Sequence, residues 1–302
     1  MGKEVKESVI RIVKLLIYYV IYQVLFTYLA MAVCGVYYLS TNGFSPDAVD
    51  GFIKAVTGSD GTMFAWAVSL GLLCSSAMCL WHLVHFGYFK FGKEPFKQVQ
   101  GNVMLLSVVF IFCSMAVFNY MAKVVELPDN LEVQMTQMAR NICGVLAIAV
   151  LGPILEEVLF RGAIQGYLMR KFSNPWVGIV VASAIFGIVH LNPVQVFYAF
   201  FLGLVFGWLY YRTGSLMPCI VGHVLNNSLA AFTMYFGIEE VDVVEEMGIV
   251  SEVMSVALLA VIAACMVYLI NSKQQPVPDP WRGAGDDEDE LVKVATVFRA
   301  DE

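Results

Sequence analysis

The chain has 302 residues, 59% of them hydrophobic and only 14% charged, with a mean hydropathy of +0.72. Ordinary soluble domains carry about 25% charged residues, so this composition excludes a water-soluble globular enzyme and marks a polytopic, all-α membrane protein. The formal net charge of −7 reflects acidic residues gathered in a few loops and the tail, and no basic surface points to nucleic acid.

The N-terminus carries Lys3, Lys6, Arg11 and Lys14 before an apolar run, as a signal peptide does. The run is too long for one and no small-residue cleavage site closes it. Val33 is bulkier than the residue a lipoprotein site wants before its cysteine, Cys34, so the run reads as an uncleaved first span. Apolar stretches able to cross a core of about 30 Å, roughly 20 residues each, lie near 15–39, 62–89, 102–122, 140–170, 175–191, 194–211, 217–237 and 252–271. Eight spans are expected. The fifth and sixth share the uncharged run from Phe172 to Tyr211, where Asn192-Pro193 supplies a cap and a first-turn proline to restart a helix. Gly203 and Gly207 form a GxxxG, a close-packing face. All seven cysteines fall in apolar runs without CxxC metal spacing, which predicts neither disulfides nor a cysteine-zinc site. From Pro276 the chain turns acidic (Asp286 to Glu290) and reads as a disordered tail. The organisation is three spans with their loops over 1–139, a core over 140–237, an acidic loop and eighth span over 238–272, and the tail over 273–302.

With a cytoplasmic N-terminus, inside segments hold fourteen Lys and Arg and outside segments three (Lys54, Lys123, Arg140), with Arg161 in the membrane. The positive-inside rule then places both termini in the cytoplasm. Outside loops are acidic, ending with Glu239, Glu240, Asp242, Glu245 and Glu246.

The fourth span contains LEEVLFRG, Leu155 to Gly162. A charge at mid-bilayer costs about 2.5–3.5 kcal/mol, several times what one Leu or Phe returns. Glu157 and Arg161, four apart, share a helix face and can pair. Glu156 points about 100° away and is left over. Such a carboxyl is either held neutral or kept charged in a water-filled cavity, and both suit a general base; the structural alternative is a buried hydrogen-bonding glutamate that only locks helices together. Gly152-Pro153, one turn earlier, should kink the helix.

Two of the four histidines lie inside later spans. Phe186 and His190 are four apart, as are His223 and Asn227, each pair on one helix face. Together with Glu156 they could serve hydrolysis in two ways. Glu156 and His190 could take a proton from water while His223 and Asn227 donate to the oxyanion, or Glu156, His190 and His223 could bind a divalent metal such as zinc that activates the water. No HExxH forces the metal. His82 and His85, beside Trp81, read as interfacial residues. Counted along straight helices, Glu156 and His190 sit about 22 Å from the cytoplasmic ends but His223 and Asn227 only about 10–15 Å, so closing the site requires tilted, kinked or re-entrant helices.

These three motifs resemble a known family. EEVLFR (Glu156 to Arg161), FGIVH (Phe186 to His190) and HVLNN (His223 to Asn227) are similar to the EExxxR, FxxxH and HxxxN motifs of the type II CAAX prenyl protease and bacteriocin-processing (CPBP, Abi) family. The resemblance implies an intramembrane endopeptidase with a helical, typically eight-span core and a cavity open to the cytoplasm. Glu156 would be its base and His190 would position the water; His223 and Asn227 would hold the oxyanion, with Glu157, Arg161 and Phe186 in support. Both metal-dependent and metal-free mechanisms are attributed to the family. Substrates would be peptides or protein tails at the membrane, lipidated or not. Non-catalytic immunity or scaffold roles on the same fold are the alternative, and a bacterial plasma membrane is the expected location.

Overall fold

The computed structural model describes residues 2–57, 62–238 and 248–274, all in helices and their connections. Ten helices follow in order: α1 Lys3–Asn42, α2 Pro46–Thr57, α3 Thr62–His85, α4 Gly101–Val125, α5 Glu132–Ala139, α6 Ile142–Lys171, α7 Pro175–Ile188, α8 Pro193–Thr213, α9 Met217–Phe236 and α10 Ile249–Lys273. The acidic residues Glu239 to Glu246 and the tail from Pro276 lie outside the described residues.

Helices stand at all eight expected spans, but among the described residues six (α1, α3, α4, α6, α8, α10) are long and apolar enough to cross a membrane. The chain is an integral membrane protein. Helix α7 has 14 residues, which reach about 21 Å against a core of about 30 Å. Helix α9 has 20 residues, but His223, Asn226 and Asn227 lower its hydropathy.

Helix α6 is the axis of the bundle. Every residue from Glu157 to Met169 is buried, and its Leu159, Phe160 and Ile164 share one apolar core with Leu83 of α3, Ile111 of α4 and Phe206 and Leu209 of α8. The outer faces of α1 and α10 keep Val20, Val24, Leu258 and Val261 exposed, as lipid contact requires. Glycines set the close approaches: a Cβ on Gly71 would meet the Thr27 backbone at 2.6 Å, and one on Gly203 would meet Ser183 Cα at 3.1 Å. The expected packing role of the GxxxG is thus observed at both glycines, since a Cβ on Gly207 would meet Gln165 Oε1 at 2.9 Å and Ile179 Cγ2 at 3.0 Å.

Connections of the same expected sidedness touch. Leu216 N donates to Pro95 O (2.8 Å) and Ser215 Oγ to Lys97 O (2.8 Å), joining the α3–α4 and α8–α9 connections at one end. At the other end Lys123 pairs with Glu252 (3.4 Å), and Asn192 Nδ2 donates to Asp129 Oδ1 (2.9 Å). Asn192 does precede the helix restart at Pro193, but its side chain makes no cap; it accepts instead from the Asn130 N–H (3.0 Å).

Candidate active site

Proline sets the local geometry. Helix α6 is wound as π-helix over Leu146–Leu151 and again over Glu157–Gln165, a winding that recurs at functional sites. In the first segment the Gly152 N–H bonds Ala147 O, five residues back. The next residue in line for Ile148 O is Pro153, which has no N–H. The carbonyl so freed accepts from Asn227 Nδ2 of α9 at 2.8 Å. The expected disturbance at Gly152-Pro153 therefore takes the form of an anchoring point for Asn227.

One turn on, the two glutamates divide as their spacing predicts. Glu157 is fully buried and its Oε1 accepts from Arg161 Nη1 (3.0 Å) and His223 Nδ1 (2.9 Å), while no described residue bonds Oε2. Glu156 keeps 19% of its side chain exposed, and its Oε2 lies 3.6 Å from His223 Nε2. The imidazole of His223 thus has one carboxylate at each nitrogen. Arg161, 1% exposed, is held between the rings of Phe186 (4.3 Å) and Phe206 (5.2 Å). Its Nη2 reaches Gly203 O (3.4 Å), and Gln165 Nε2 one turn later donates to Gly207 O (2.9 Å). The four-residue pitch of the GxxxG thus meets the four-residue pitch of Arg161 and Gln165, and glycine leaves the carbonyls open to them.

His190 is placed differently from expectation. Helix α7 ends at Ile188, so the residue sits in the turn beyond it rather than inside a span. Its Nδ1 faces Phe186 O at 2.7 Å, and because a carbonyl can only accept, Nδ1 carries the proton and Nε2 the lone pair. The Phe186 ring meets both imidazoles at near right angles, His190 at 5.0 Å and His223 at 6.0 Å. Helix α6 is not a regular helix, and His223 of α9 meets both of its glutamates, while His190 meets the Phe186 ring.

Residues 139–229, the segment that holds all of these groups, match the family model described as type II CAAX prenyl endopeptidase, Rce1-like. This segment of the chain is similar to that CAAX endopeptidase family. The chain is also 34% identical over 84 residues to a Bacillus subtilis (strain 168) protein named "Putative membrane peptidase YdiL"; the aligned part is 28% of this chain and 34% of that relative. The chain thus spans about a third of the length of the curated relative it matches. No solved structure matches.

A metal, the second route to hydrolysis, is not matched by the arrangement of these side chains. Among the described residues no three His, Cys, Asp or Glu side chains are grouped to hold an ion. His223 Nδ1 is taken by Glu157 and His190 Nδ1 by Phe186 O. That leaves Nε2 of both rings and the Glu156 carboxylate open, yet Glu156, His190 and His223 are not grouped to hold one ion.

Several participants carry no strong sequence signal. Tyr19 of α1 is buried, with its ring edge-on to Phe160 at 6.5 Å. Gln165 could have been found as a polar residue four beyond Arg161 in an apolar run. Asn226 could have been found as the other half of the Asn-Asn pair. His82, expected at the interface, is 4% exposed; its Nδ1 lies 2.8 Å from Tyr22 Oη, and Tyr18, Phe86 and Tyr88 surround the ring. His85 stacks on Trp81 (4.6 Å).

Proposed function

We propose that the chain is an intramembrane endopeptidase that hydrolyses peptide bonds in membrane-associated peptides or protein tails, with Glu156 as general base. The observation that carries this is the unequal pair: Glu157 is sealed by Arg161 and His223, while Glu156 beside it stays partly exposed and has no hydrogen-bond donor among the described residues. A paired, buried Glu157 costs far less than an isolated charge, and it holds His223 in one orientation. The membrane peptidase named among its relatives and the family of its core support the same reading.

In this reading Glu156 takes a proton from water, with the His190 Nε2 lone pair helping to orient it, and the hydroxide adds to the scissile carbonyl carbon. His223 Nε2–H and Asn227 Nδ2–H donate to the resulting oxyanion. Donation from Nε2 requires a ring protonated on both nitrogens, with Glu157 facing one and Glu156 the other. Collapse of the tetrahedral species breaks the C–N bond, and the leaving amine takes the proton from Glu156. The excess of Lys and Arg in alternate segments supports a cytoplasmic position for both termini, and the membrane of this reading is a bacterial plasma membrane. The test is cleavage by the purified protein: Glu156→Gln should abolish it while insertion and folding persist, and cleavage by that variant at the wild-type rate would remove the mechanism.

A further inference from the structure

The amide of Asn227 is held at both ends. Its Nδ2 donates to Ile148 O, the carbonyl freed by Pro153, at 2.8 Å. Its Oδ1 accepts from Asn226 Nδ2 at 2.7 Å. Asn226 Oδ1 in turn accepts a long hydrogen bond from Tyr198 Oη of α8 at 3.4 Å. A backbone carbonyl accepts only, so the amide nitrogen of Asn227 must face Ile148, and this fixes the direction of the chain from Tyr198 through Asn226 to Asn227.

We infer that Asn226 is a positioning residue for oxyanion binding, acting through Asn227, with Tyr198 as its weaker support. The inference rests on the peptidase reading above. Asn227 has two N–H bonds, of which one is spent on Ile148 and the other has no partner among the described residues. His223 lies four residues earlier on the same face of α9, so the free N–H belongs with the His223 donor. A lone carbonyl contact leaves the amide free to rock about it, whereas a second bond at Oδ1 pins the amide plane. Accepting a hydrogen bond at Oδ1 also polarises the N–H at the other end. The chain brings together the π-wound part of α6, α8 and α9, so a donor on one helix is aimed by two others.

Asn226→Asp keeps the shape but replaces the donor facing Asn227 Oδ1 with a second acceptor. It should lower kcat by about 10- to 100-fold with KM unchanged, part of the ~10²–10³ that loss of an oxyanion donor costs. Tyr198→Phe should give a smaller fall in kcat. A peptide phosphonamidate, which presents a tetrahedral anion, should lose affinity for Asn226→Asp in proportion to kcat, while a product peptide should not. The deciding comparison is made in an Asn227→Ala background: if Asn226 acts through Asn227, Asn226→Asp should there cost nothing further. Equal losses in both backgrounds, or an Asn226→Asp variant with wild-type kcat while Asn227→Ala is impaired, would overturn the inference. Full activity of Asn227→Ala would instead overturn the oxyanion role beneath it. A readout independent of turnover is the side-chain amide signal of Asn227 in asparagine-labelled protein, identified by its absence from Asn227→Ala. Asn226→Asp should shift it, and an unmoved signal also refutes the contact.

Discussion

Replacing Arg161 with methionine should unfold this protein more readily than almost any other single polar substitution. Arg161 is 1% exposed and its Nη1 lies 3.0 Å from a fully buried carboxylate. At that distance and an effective dielectric constant of about 20, the attraction is about 5.5 kcal/mol. His223 remains on the same oxygen, so part of the loss is recovered; the stacking on Phe186 and Phe206 adds to it. The net cost expected is about 3–5 kcal/mol, the range seen when one member of a buried pair is removed. The assay is reversible unfolding of purified protein in mixed micelles, followed by tryptophan fluorescence. The control is Glu157→Gln with Arg161→Met, which removes both charges and should be more stable than Arg161→Met alone by at least about 1 kcal/mol. A loss under about 1 kcal/mol for the single variant, or a double variant whose loss equals the sum of the two singles, would refute the pairing argument.

Three further outcomes follow from the same geometry. Pro153→Ala restores an N–H able to bond Ile148 O, so it should stabilise α6 in thermal melts yet lower kcat by competing with Asn227 for that carbonyl. Gly203→Val places a side chain against the Ser183 backbone and should cost about 1–3 kcal/mol, whereas Gly101→Ala, with nothing within 4 Å, should be near neutral in the same assay. Asn192→Leu strips the Asp129 carboxylate and the Asn130 N–H of a buried partner; it should cost about 1–3 kcal/mol, read by unfolding, and loosen the turn that carries His190.

Much of the architecture was legible because the bilayer imposes a simple rule on length and hydropathy. That rule located all eight apolar helices, yet it overstated α7 and α9. In α7 the apolar run continues through Val189 and Leu191, but the backbone turns out of the helix at Ile188, with Leu191 at φ 56°. In α9 the polar residues needed at the site reduce the hydropathy that defines a span. The pairing of Glu157 rather than Glu156 with Arg161 was readable from their four-residue offset alone. The second partner of Glu157, His223, lies 66 residues away and could not be paired with it by spacing. Nor could the link from Asn227 to Ile148, 79 residues apart, because it depends on a π-wound turn that hydropathy does not report. The GxxxG announced close packing but not that its carbonyls receive Arg161 and Gln165.

The most direct measurement of the central claim is cleavage of a library of plain and lipidated peptides by purified wild type and Glu156→Gln in detergent, each with and without a zinc chelator. Cleavage by wild type, unaffected by the chelator and lost in Glu156→Gln, is the predicted result. Loss of wild-type cleavage on chelation would contradict the metal-free route through Glu156, and undiminished cleavage by Glu156→Gln would contradict its role as the base. Absence of cleavage by the wild type across the library would contradict the peptidase itself.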